Sequence, residues 1–199
     1  EAVTLDESPV DPNVLWVGMD DGNLQVSRDA GASWTEVSRN VPGLPEGTYV
    51  GRILASAEGA GVAYAAFDAH RDGDFAPYLY RTEDFGQSWT ALHEGLPTGS
   101  LLSLAEHPDN PSVLFLGSEH HLFVTTDGGT NWARMPNLPT TPYDDLVVHP
   151  REKDLVIGTH GRGGRFSCPL RQRMRGVEDP DAAAVRADHE IFLTRVHDQ

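Results

Sequence analysis

The ionisable side chains that could do chemistry in this sequence follow a recurring signal, a small residue near the end of an apolar run. The four small residues are Gly18, Ala66, Gly117 and Gly158. An ionisable residue stands two positions after each of them, and further polar residues follow. The candidate binding residues found in this way are Asp20, Asp68, His70, Arg71, Asp72, Asp74, Glu119, His160 and Arg162.

Carboxylates that face each other across a sugar can hydrolyse a glycosidic bond, one as acid and the other as base or nucleophile. The candidates for that chemistry are Asp20, Asp68 and Asp72, but nothing in their spacing selects a pair. Arg71 and Arg162 could clamp a ligand carboxylate, although salt bridges to neighbouring aspartates are the commoner use of such residues. We therefore assign these side chains to binding, with glycoside hydrolysis as the alternative.

Metal chemistry has weaker support. Asp68, Asp72 and Asp74 offer oxygen ligands suited to calcium, but they lack the spacing of a twelve-residue calcium loop. The histidines that could hold a transition metal form no His-x-His or His-x-x-x-His run; they are His70, His120, His121 and His160. A Gly-x-Ser-x-Gly elbow and a phosphate-binding loop are also missing from the sequence. We expect no metal site and no cofactor.

The element that must position these residues is an octamer that occurs three times, Ser/Thr-x-Asp-x-Gly-x-x-Trp. Its recurring residues are Asp29, Gly31, Trp34, Asp84, Gly86, Trp89, Asp127, Gly129 and Trp132. The Asp can accept hydrogen bonds from backbone N–H groups just beyond it, and the Gly supplies the positive φ of a tight turn. We expect the Trp to cover apolar side chains of its own sheet. The octamer thus predicts a pinned hairpin with a structural, not a catalytic, aspartate.

Aligned on the octamers, strand-like runs form units of four short antiparallel strands, while helical periodicity is almost absent. This pattern predicts an all-β fold, a β-propeller of about three to four blades. We expect blades over 1–40, 48–94 and 100–136, a partial blade over 144–168, and an irregular tail over 169–199 with a possible closing strand at 190–196. Since propellers have four to eight blades, further blades are expected from the same or another chain.

Strand alternation places the loops between second and third strands on one face of the propeller and the octamers on the opposite face. The candidate binding residues therefore converge on a single face. One of their loops, residues 68–77, accounts for most of the extra length of the second unit. Loops that grow on a fixed scaffold are common binding sites.

The octamer resembles the Asp-box, or BNR repeat, of β-propellers such as sialidases, xyloglucanases, sortilin and a photosystem assembly factor. The runs Glu7–Pro12, Asp68–Arg71, Asp74–Tyr78 and Gly158–Arg162 resemble the bacterial sortilin-like branch, often labelled glycosyl hydrolases. The resemblance spans about residues 1–166. It implies a non-enzymatic binding or assembly module, with a xyloglucanase- or sialidase-like glycoside hydrolase as the alternative. It also favours an extracellular or periplasmic location.

The amino-acid composition limits the classes of partner to which the protein can bind. The chain has 30 acidic and 15 basic residues, a formal charge of −15, whereas nucleic-acid binding needs clustered Lys and Arg. No apolar run approaches the ~20 residues of a membrane span. The single cysteine, Cys168, leaves the redox compartment open. The expected partner is therefore a protein or glycan ligand.

Overall fold

The computed structural model describes residues 1–159 and the backbone of residues 162–166. His160, the tail over 169–199 and the possible closing strand at 190–196 lie outside the described residues. Among the described residues, fifteen strands form four antiparallel sheets, each with its strands side by side in chain order. The all-β prediction is confirmed.

The first two sheets are complete four-stranded blades. Blade 1 contains β1 Ala2–Glu7, β2 Leu15–Met19, β3 Leu24–Ser27 and β4 Thr35–Glu36, and a short 3₁₀ turn follows at Ser38–Asn40. Blade 2 contains β5 Tyr49–Ala55, β6 Ala63–Asp68, β7 Tyr78–Thr82 and β8 Thr90–Ala91, with a 3₁₀ turn at His70–Asp72.

The third sheet is also four-stranded, and the fourth has three strands among the described residues. Blade 3 contains β9 Leu101–His107, β10 Asn110–Ser118, β11 Leu122–Thr125 and β12 Ala133–Arg134. Blade 4 contains β13 Tyr143–Val148, β14 Leu155–Thr159 and β15 Arg162–Phe166. The first strands β1, β5, β9 and β13 are neighbours from blade to blade, so they form the inner wall of the arc.

Blades 1 to 3 each have the four strands that the sequence predicts for a unit. Their fourth strands are short, since only two residues of each pair with the third strand. Beyond that pairing the chain leaves the sheet for the linker to the next blade. Val37, for example, still donates its N–H to the carbonyl oxygen of Leu24 at 2.8 Å before the 3₁₀ turn begins.

The apolar core is divided among the gaps between blades. One buried cluster joins Trp16 and Leu24 of blade 1 to Ile53 and Phe67 of blade 2. A second lies between blades 2 and 3, and a third between blades 3 and 4. Blades 2 and 3 are therefore stabilised by neighbours on both faces and blades 1 and 4 by a neighbour on one, at roughly 1.5–3 kcal/mol for each large apolar side chain buried.

Small residues in the second strands make this close packing possible. A Cβ added to Gly18 would overlap the side chain of Val50 on the inner strand of the next blade. A Cβ added to Gly117 would likewise overlap Ser103 and the backbone of Tyr143 in blade 4. The small residues that mark the ends of the second strands in the sequence are thus contact points between blades.

Both outer faces of the arc lack the cover that interior blades have. The strand pairing makes Leu5 equivalent to Ile53, Leu104 and Leu146. Those three are 2%, 1% and 2% exposed, whereas Leu5 is 64% exposed. On the far side, Val156 is exposed although its equivalents Trp16, Tyr64 and Phe115 are fully buried. These are the faces on which further blades pack in a larger ring.

The three octamers fold as the expected pinned hairpins. In the second, the Thr82 hydroxyl donates to Asp84 Oδ1 at 2.8 Å and accepts the N–H of Gly86 at 3.0 Å. Ser88 donates its N–H and its hydroxyl to the two oxygens of Asp84. Hydrogen bonds from the Ser33 and Ser88 side chains are the main reason that the pKa values of Asp29 and Asp84 are lowered. The aspartates therefore serve as hydrogen-bond acceptors for their own turns.

Two details of the hairpins differ from the sequence expectation. Each turn has two consecutive residues with positive φ, so Ala30 (φ 55°) and Phe85 (φ 60°) adopt it as well as the predicted glycines. Trp89 and Trp132 also pack on the preceding blade. Trp89 meets Trp16 of blade 1 edge-on at 6.2 Å, and the indole N–H of Trp132 donates to the carbonyl oxygen of Leu92 in blade 2.

We predict that Gly86→Ala destabilises the protein more than Gly73→Ala. Both glycines have φ close to 80°, so both variants incur about 1–2 kcal/mol of left-handed backbone strain. A Cβ at position 86 would also approach Val37 of blade 1 to 2.8 Å, whereas one at position 73 would meet nothing within 4 Å. Urea unfolding should show a further loss of about 1–3 kcal/mol for Gly86→Ala. Equal losses would mean that the octamer does not press on the preceding blade.

An aspartate introduced at either of two equivalent strand positions should strongly destabilise the protein at one of them and hardly affect its stability at the other. We expect Ile53→Asp to lower the free energy of unfolding by at least about 3 kcal/mol, because it buries a carboxylate between two blades. Leu5→Asp should change it by no more than about 0.5 kcal/mol in this 199-residue chain. Urea unfolding followed by tryptophan fluorescence measures both. A large loss for Leu5→Asp would show that the Leu5 face is covered in solution.

Candidate functional site

The loops that join second to third strands form one surface, called here the 2–3 loop face. It consists of residues 20–23, 69–77 and 119–121 with the strand ends beside them. The loop of blade 2 has nine residues, while those of blades 1 and 3 have four and three. The scaffold is the same in the three blades, so the extra residues of blade 2 project from it.

Hydrogen bonds within the long loop hold it in one conformation. The 3₁₀ turn His70–Asp72 ends at Gly73, which has φ 78°. Asp74 accepts the N–H of Ala76 at 2.9 Å on one oxygen and the hydroxyl of Tyr78 at 2.6 Å on the other. The hydrogen bond with Asp74 raises the pKa of Tyr78 to about 12. The carboxylate of Asp74 therefore acts inside the loop.

A second link ties the loop to the neighbouring blade. The carbonyl oxygen of Phe75 accepts the N–H of Gly99, in the linker that leads into blade 3, at 2.9 Å. Because both ends and the middle of the loop are held, a ligand meets a surface that needs little rearrangement. Such preorganisation lowers the entropic cost of binding.

Asp68 lies at the base of the loop, where blades 2 and 3 meet. Its side chain is only 13% exposed, and Oδ2 is 2.7 Å from Nδ1 of the half-exposed His70. Oδ1 accepts the N–H of His70 at 3.0 Å and the hydroxyl of Ser100 at 3.1 Å. The contact with Asp68 favours the imidazole tautomer that carries its proton on Nδ1 and leaves Nε2 as an acceptor. Asp68 thus orients His70 and joins the two blades.

Arg71 packs on the first strand of its own blade and acts on Asp20 of blade 1 through its charge. Its guanidinium lies over the ring of Tyr49, 5.0 Å from the centroid. Asp20, across the blade boundary, has a lowered pKa, mainly through its hydrogen bond with the amino group of Glu1 and in smaller part through the positive charge of Arg71. This places Arg71 and Asp20 on one stretch of surface.

Glu119 extends the same surface onto blade 3. Its N–H donates to the carbonyl oxygen of Ser100 at 3.3 Å, and Ser100 in turn reaches Asp68. Its Oε2 lies beside Gly99, 3.5 Å from where a Cβ would stand. The 2–3 loop face therefore runs from Asp20 through Asp68 to Glu119 over three blades.

The remaining predicted binding residues are placed as follows. Asp72 and Arg71 are on the exposed side of the 3₁₀ turn, and Asp74 faces into the loop. His160 lies outside the described residues, and of Arg162 only the backbone is described, as the first residue of β15. The binding role of all nine residues stays a prediction.

Charged residues on the inner strands were not selected by the sequence analysis. Arg52 of blade 2 and Asp145 of blade 4 form an ion pair at 3.6 Å across the concave side of the arc, which encloses a cavity of about 270 Å³. Asp6 and Glu106 lie on the same wall and accept the N–H groups of Ala55 and Ala57, each at 2.8 Å. The signal that could have found them is an ionisable residue inside an otherwise apolar first strand.

Burial raises the pKa values of both Asp6 and Glu106, and their backbone hydrogen bonds oppose the effect. Each carboxylate reaches from its own blade to the end of strand β5 in blade 2. Their position explains the raised pKa values without a catalytic role, since Asp6 through one oxygen and Glu106 through both make contacts between blades.

Metal-binding groups and membrane-spanning helices are relevant to the expected partners. Within residues 1–159 no group of three or more His, Cys, Asp or Glu side chains is arranged to hold a metal ion. Across the described part of the chain, no helix has the length and apolar character needed to cross a membrane.

Comparison with known proteins agrees with this architecture. The Sortilin-Vps10 family, described as sortilin, neurotensin receptor 3, matches residues 78–174. An oligoxyloglucan-reducing end-specific xyloglucanase of Emericella nidulans is 32% identical over 145 residues, covering 73% of this chain and 12% of the enzyme. The chain thus spans about an eighth of the length of the curated relatives it matches.

Solved structures show the same fold. The GH74 enzyme of Niastella koreensis superposes with a TM-score of 0.65 at 12% identity, over 83% of this chain and 29% of that one. YCF48 bound to D1 peptide superposes with a TM-score of 0.58 at 17% identity, over 83% and 50%. The expected resemblance to sortilin-like and glycosyl-hydrolase-like propellers is confirmed.

The Asp74–Tyr78 hydrogen bond should be visible in a titration of the five tyrosines. Because Tyr78 has a raised pKa in the folded protein, its contribution to stability is present below its ordinary value of 10.0 and is lost as pH rises through about 12. Asp74→Asn removes the charge that holds the proton, so the phenolate absorbance of Tyr78 should develop at lower pH. Tyr78→Phe identifies the step, and circular dichroism at each pH monitors the fold. Superimposable curves for Asp74→Asn and the parent protein would contradict this assignment.

Proposed function

Since the chain is a segment of an Asp-box β-propeller of the sortilin-like and glycosyl-hydrolase-like kind, we propose that it is a non-enzymatic binding or assembly module. The ligand binds to the 2–3 loop face. The observation that carries the proposal is the nine-residue loop of blade 2, which is fixed by its own hydrogen bonds and linked to the segment that leads into blade 3. Scaffolded loops of this kind are where propellers and other repeat folds place binding residues.

The proposed ligand is a protein or a glycan. YCF48 was solved with a D1 peptide, which is a precedent for peptide binding by the same fold. The xyloglucanase relatives are named for activity on oligoxyloglucan, which is a precedent for a glycan. Arg71 supplies hydrogen-bond donors on this face, and the acceptors are the free ring nitrogen of His70 and the carboxylates of Asp20, Asp72 and Glu119.

Glycoside hydrolysis is the second candidate, because the curated relatives are xyloglucanases. It requires one carboxyl group that stays protonated as the general acid, and this in turn requires a raised pKa. On the 2–3 loop face the pKa values of Asp20 and Asp74 are lowered. Both oxygens of Asp68 are occupied by His70 and Ser100. Binding without turnover is therefore better supported by the geometry of this face.

Incubation with xyloglucan and a panel of other polysaccharides separates the two functions. We expect no release of reducing ends by the parent protein. If xyloglucan is the ligand, the protein should be retarded in gels that contain it, and Arg71→Ala or Asp68→Ala should weaken the retardation about tenfold, the loss of one charge-assisted contact. Asp144→Ala, which removes an exposed carboxylate on β13, is the matched control and should have no effect.

Turnover would replace the binding proposal if Asp68→Ala or Asp72→Ala abolished it while Asp144→Ala did not. Thermal unfolding of each variant, followed by tryptophan fluorescence, confirms that the blades are intact. This check matters most for Asp68→Ala, because Asp68 also joins blades 2 and 3 through Ser100.

A further inference from the structure

Phe75 is the aromatic side chain whose exposure the fold does not explain. Most large apolar side chains that are exposed lie on the two open blade faces, where further blades pack; these are Val3, Leu5, Trp34, Val147 and Val156. Phe75 is 54% exposed, yet it belongs to the long loop of blade 2, and both faces of that blade are already covered by blades 1 and 3. Ring closure therefore leaves its exposure unchanged.

The loop holds Phe75 in place instead of letting it fold back. Its carbonyl oxygen is fixed by Gly99, and the residues on either side are fixed by the carboxylate of Asp74, which accepts the N–H of Ala76 and the hydroxyl of Tyr78. An apolar ring kept in water on a fixed backbone loses little entropy when a partner covers it. Aromatic side chains of this kind are typical binding hot spots.

The charges around Phe75 are mainly negative. Six carboxylates lie on the 2–3 loop face, from Asp20, Asp21, Asp68, Asp72, Asp74 and Glu119. Arg71 is the arginine of that face among the described residues, and its guanidinium already lies over Tyr49 in the field of Asp20. With a formal charge of −15 on the whole chain, the surroundings of the ring favour a cationic partner.

We propose that Phe75 is the anchor for a cationic peptide segment of a partner protein. An apolar side chain of that segment packs on the ring, or an Arg or Lys lies over its face, while flanking Lys and Arg side chains meet Asp72 and Glu119. The proposal rests on the proposed function of the 2–3 loop face and makes it specific, since it selects a protein ligand over a glycan.

The test uses the full chain and three short fluorescent peptides, one alternating Lys with Leu, one alternating Lys with Gly and one alternating Glu with Leu. Fluorescence anisotropy is measured at about 0.15 M salt, where charges more than ~8 Å apart are screened. We expect the Lys–Leu peptide to bind more tightly than the other two. Phe75→Ala should weaken its binding about tenfold or more, as for an interface hot spot. Val10→Ala, which shortens an exposed apolar residue elsewhere in the chain, should leave it unchanged.

Each other outcome counts against the anchor in a distinguishable way. If Arg71→Ala and Asp68→Ala change peptide binding but Phe75→Ala does not, the anchor is wrong and the 2–3 loop face remains the binding site. If none of the three variants changes the binding of any peptide or of xyloglucan, the proposed function fails as well. If Phe75→Ala weakens retention by xyloglucan and not peptide binding, the ring is a sugar platform and the cationic partner is wrong. Because Phe75 is exposed, thermal unfolding of Phe75→Ala should match that of the parent protein.

Discussion

Every sheet in this protein has two apolar faces, and this constraint determines the rest of the structure. Blade 2, with Tyr64 on one side and Ile53 on the other, cannot be stable alone, because either face would leave large side chains in water. Stacking the sheets buries both faces at once, and it requires close contact at a few points. Gly18 against Val50 and Gly86 against Val37 are two of these points, and both exclude a larger residue.

The stacked arrangement also places the residues that stabilise the blades and the proposed binding residues at opposite ends of the strands. The octamers occupy the loops between third and fourth strands, and the glycines and tryptophans of those in blades 2 and 3 pack against the preceding blade. The loops between second and third strands lie at the other end of the same strands, away from these contacts. They can lengthen, as residues 69–77 have done, without disturbing the contacts between octamers and blades. The link from Asp68 to Ser100 shows that a long loop can still be fixed to its neighbour by a side chain.

The octamer was sufficient to predict the blades, because its residues act on neighbours within a few positions. Asp84 meets Ser88, and Thr82 meets Gly86, so sequence spacing translates directly into hydrogen bonds. What could not be predicted depends on how blades are arranged around one another. The packing of Trp89 on Trp16 and the ion pair of Arg52 with Asp145 join residues far apart in sequence, and no local pattern indicates them.

The candidate site also has a part that could be predicted from local sequence and a part that depends on how the blades are arranged. The loop residues of the 2–3 face could be identified from their place after the second strands, but their individual roles depend on contacts with the next blade. Asp68 and Asp74 are similar in sequence context, yet Asp68 reaches Ser100 in the next linker while Asp74 fastens its own loop through Tyr78. A composition rule that counts acidic residues cannot separate the two uses.

Two sets of carboxylates give the fold opposing responses to pH. The pKa values of Asp29 and Asp84 are lowered, so their contribution to stability is present above the ordinary value of 3.8 and is lost as pH falls below it. Burial raises the pKa values of Asp6 and Glu106, so their contribution is present below the ordinary values and is lost as pH rises through the raised ones. A fall in pH therefore weakens the hydrogen bonds of the pinned hairpins. The same fall protonates Asp6 and Glu106, which removes the unfavourable burial of their negative charges between blades. The pKa values of Asp20 and Asp74 are lowered as well, so acid also weakens the hydrogen bonds that hold the 2–3 loop face.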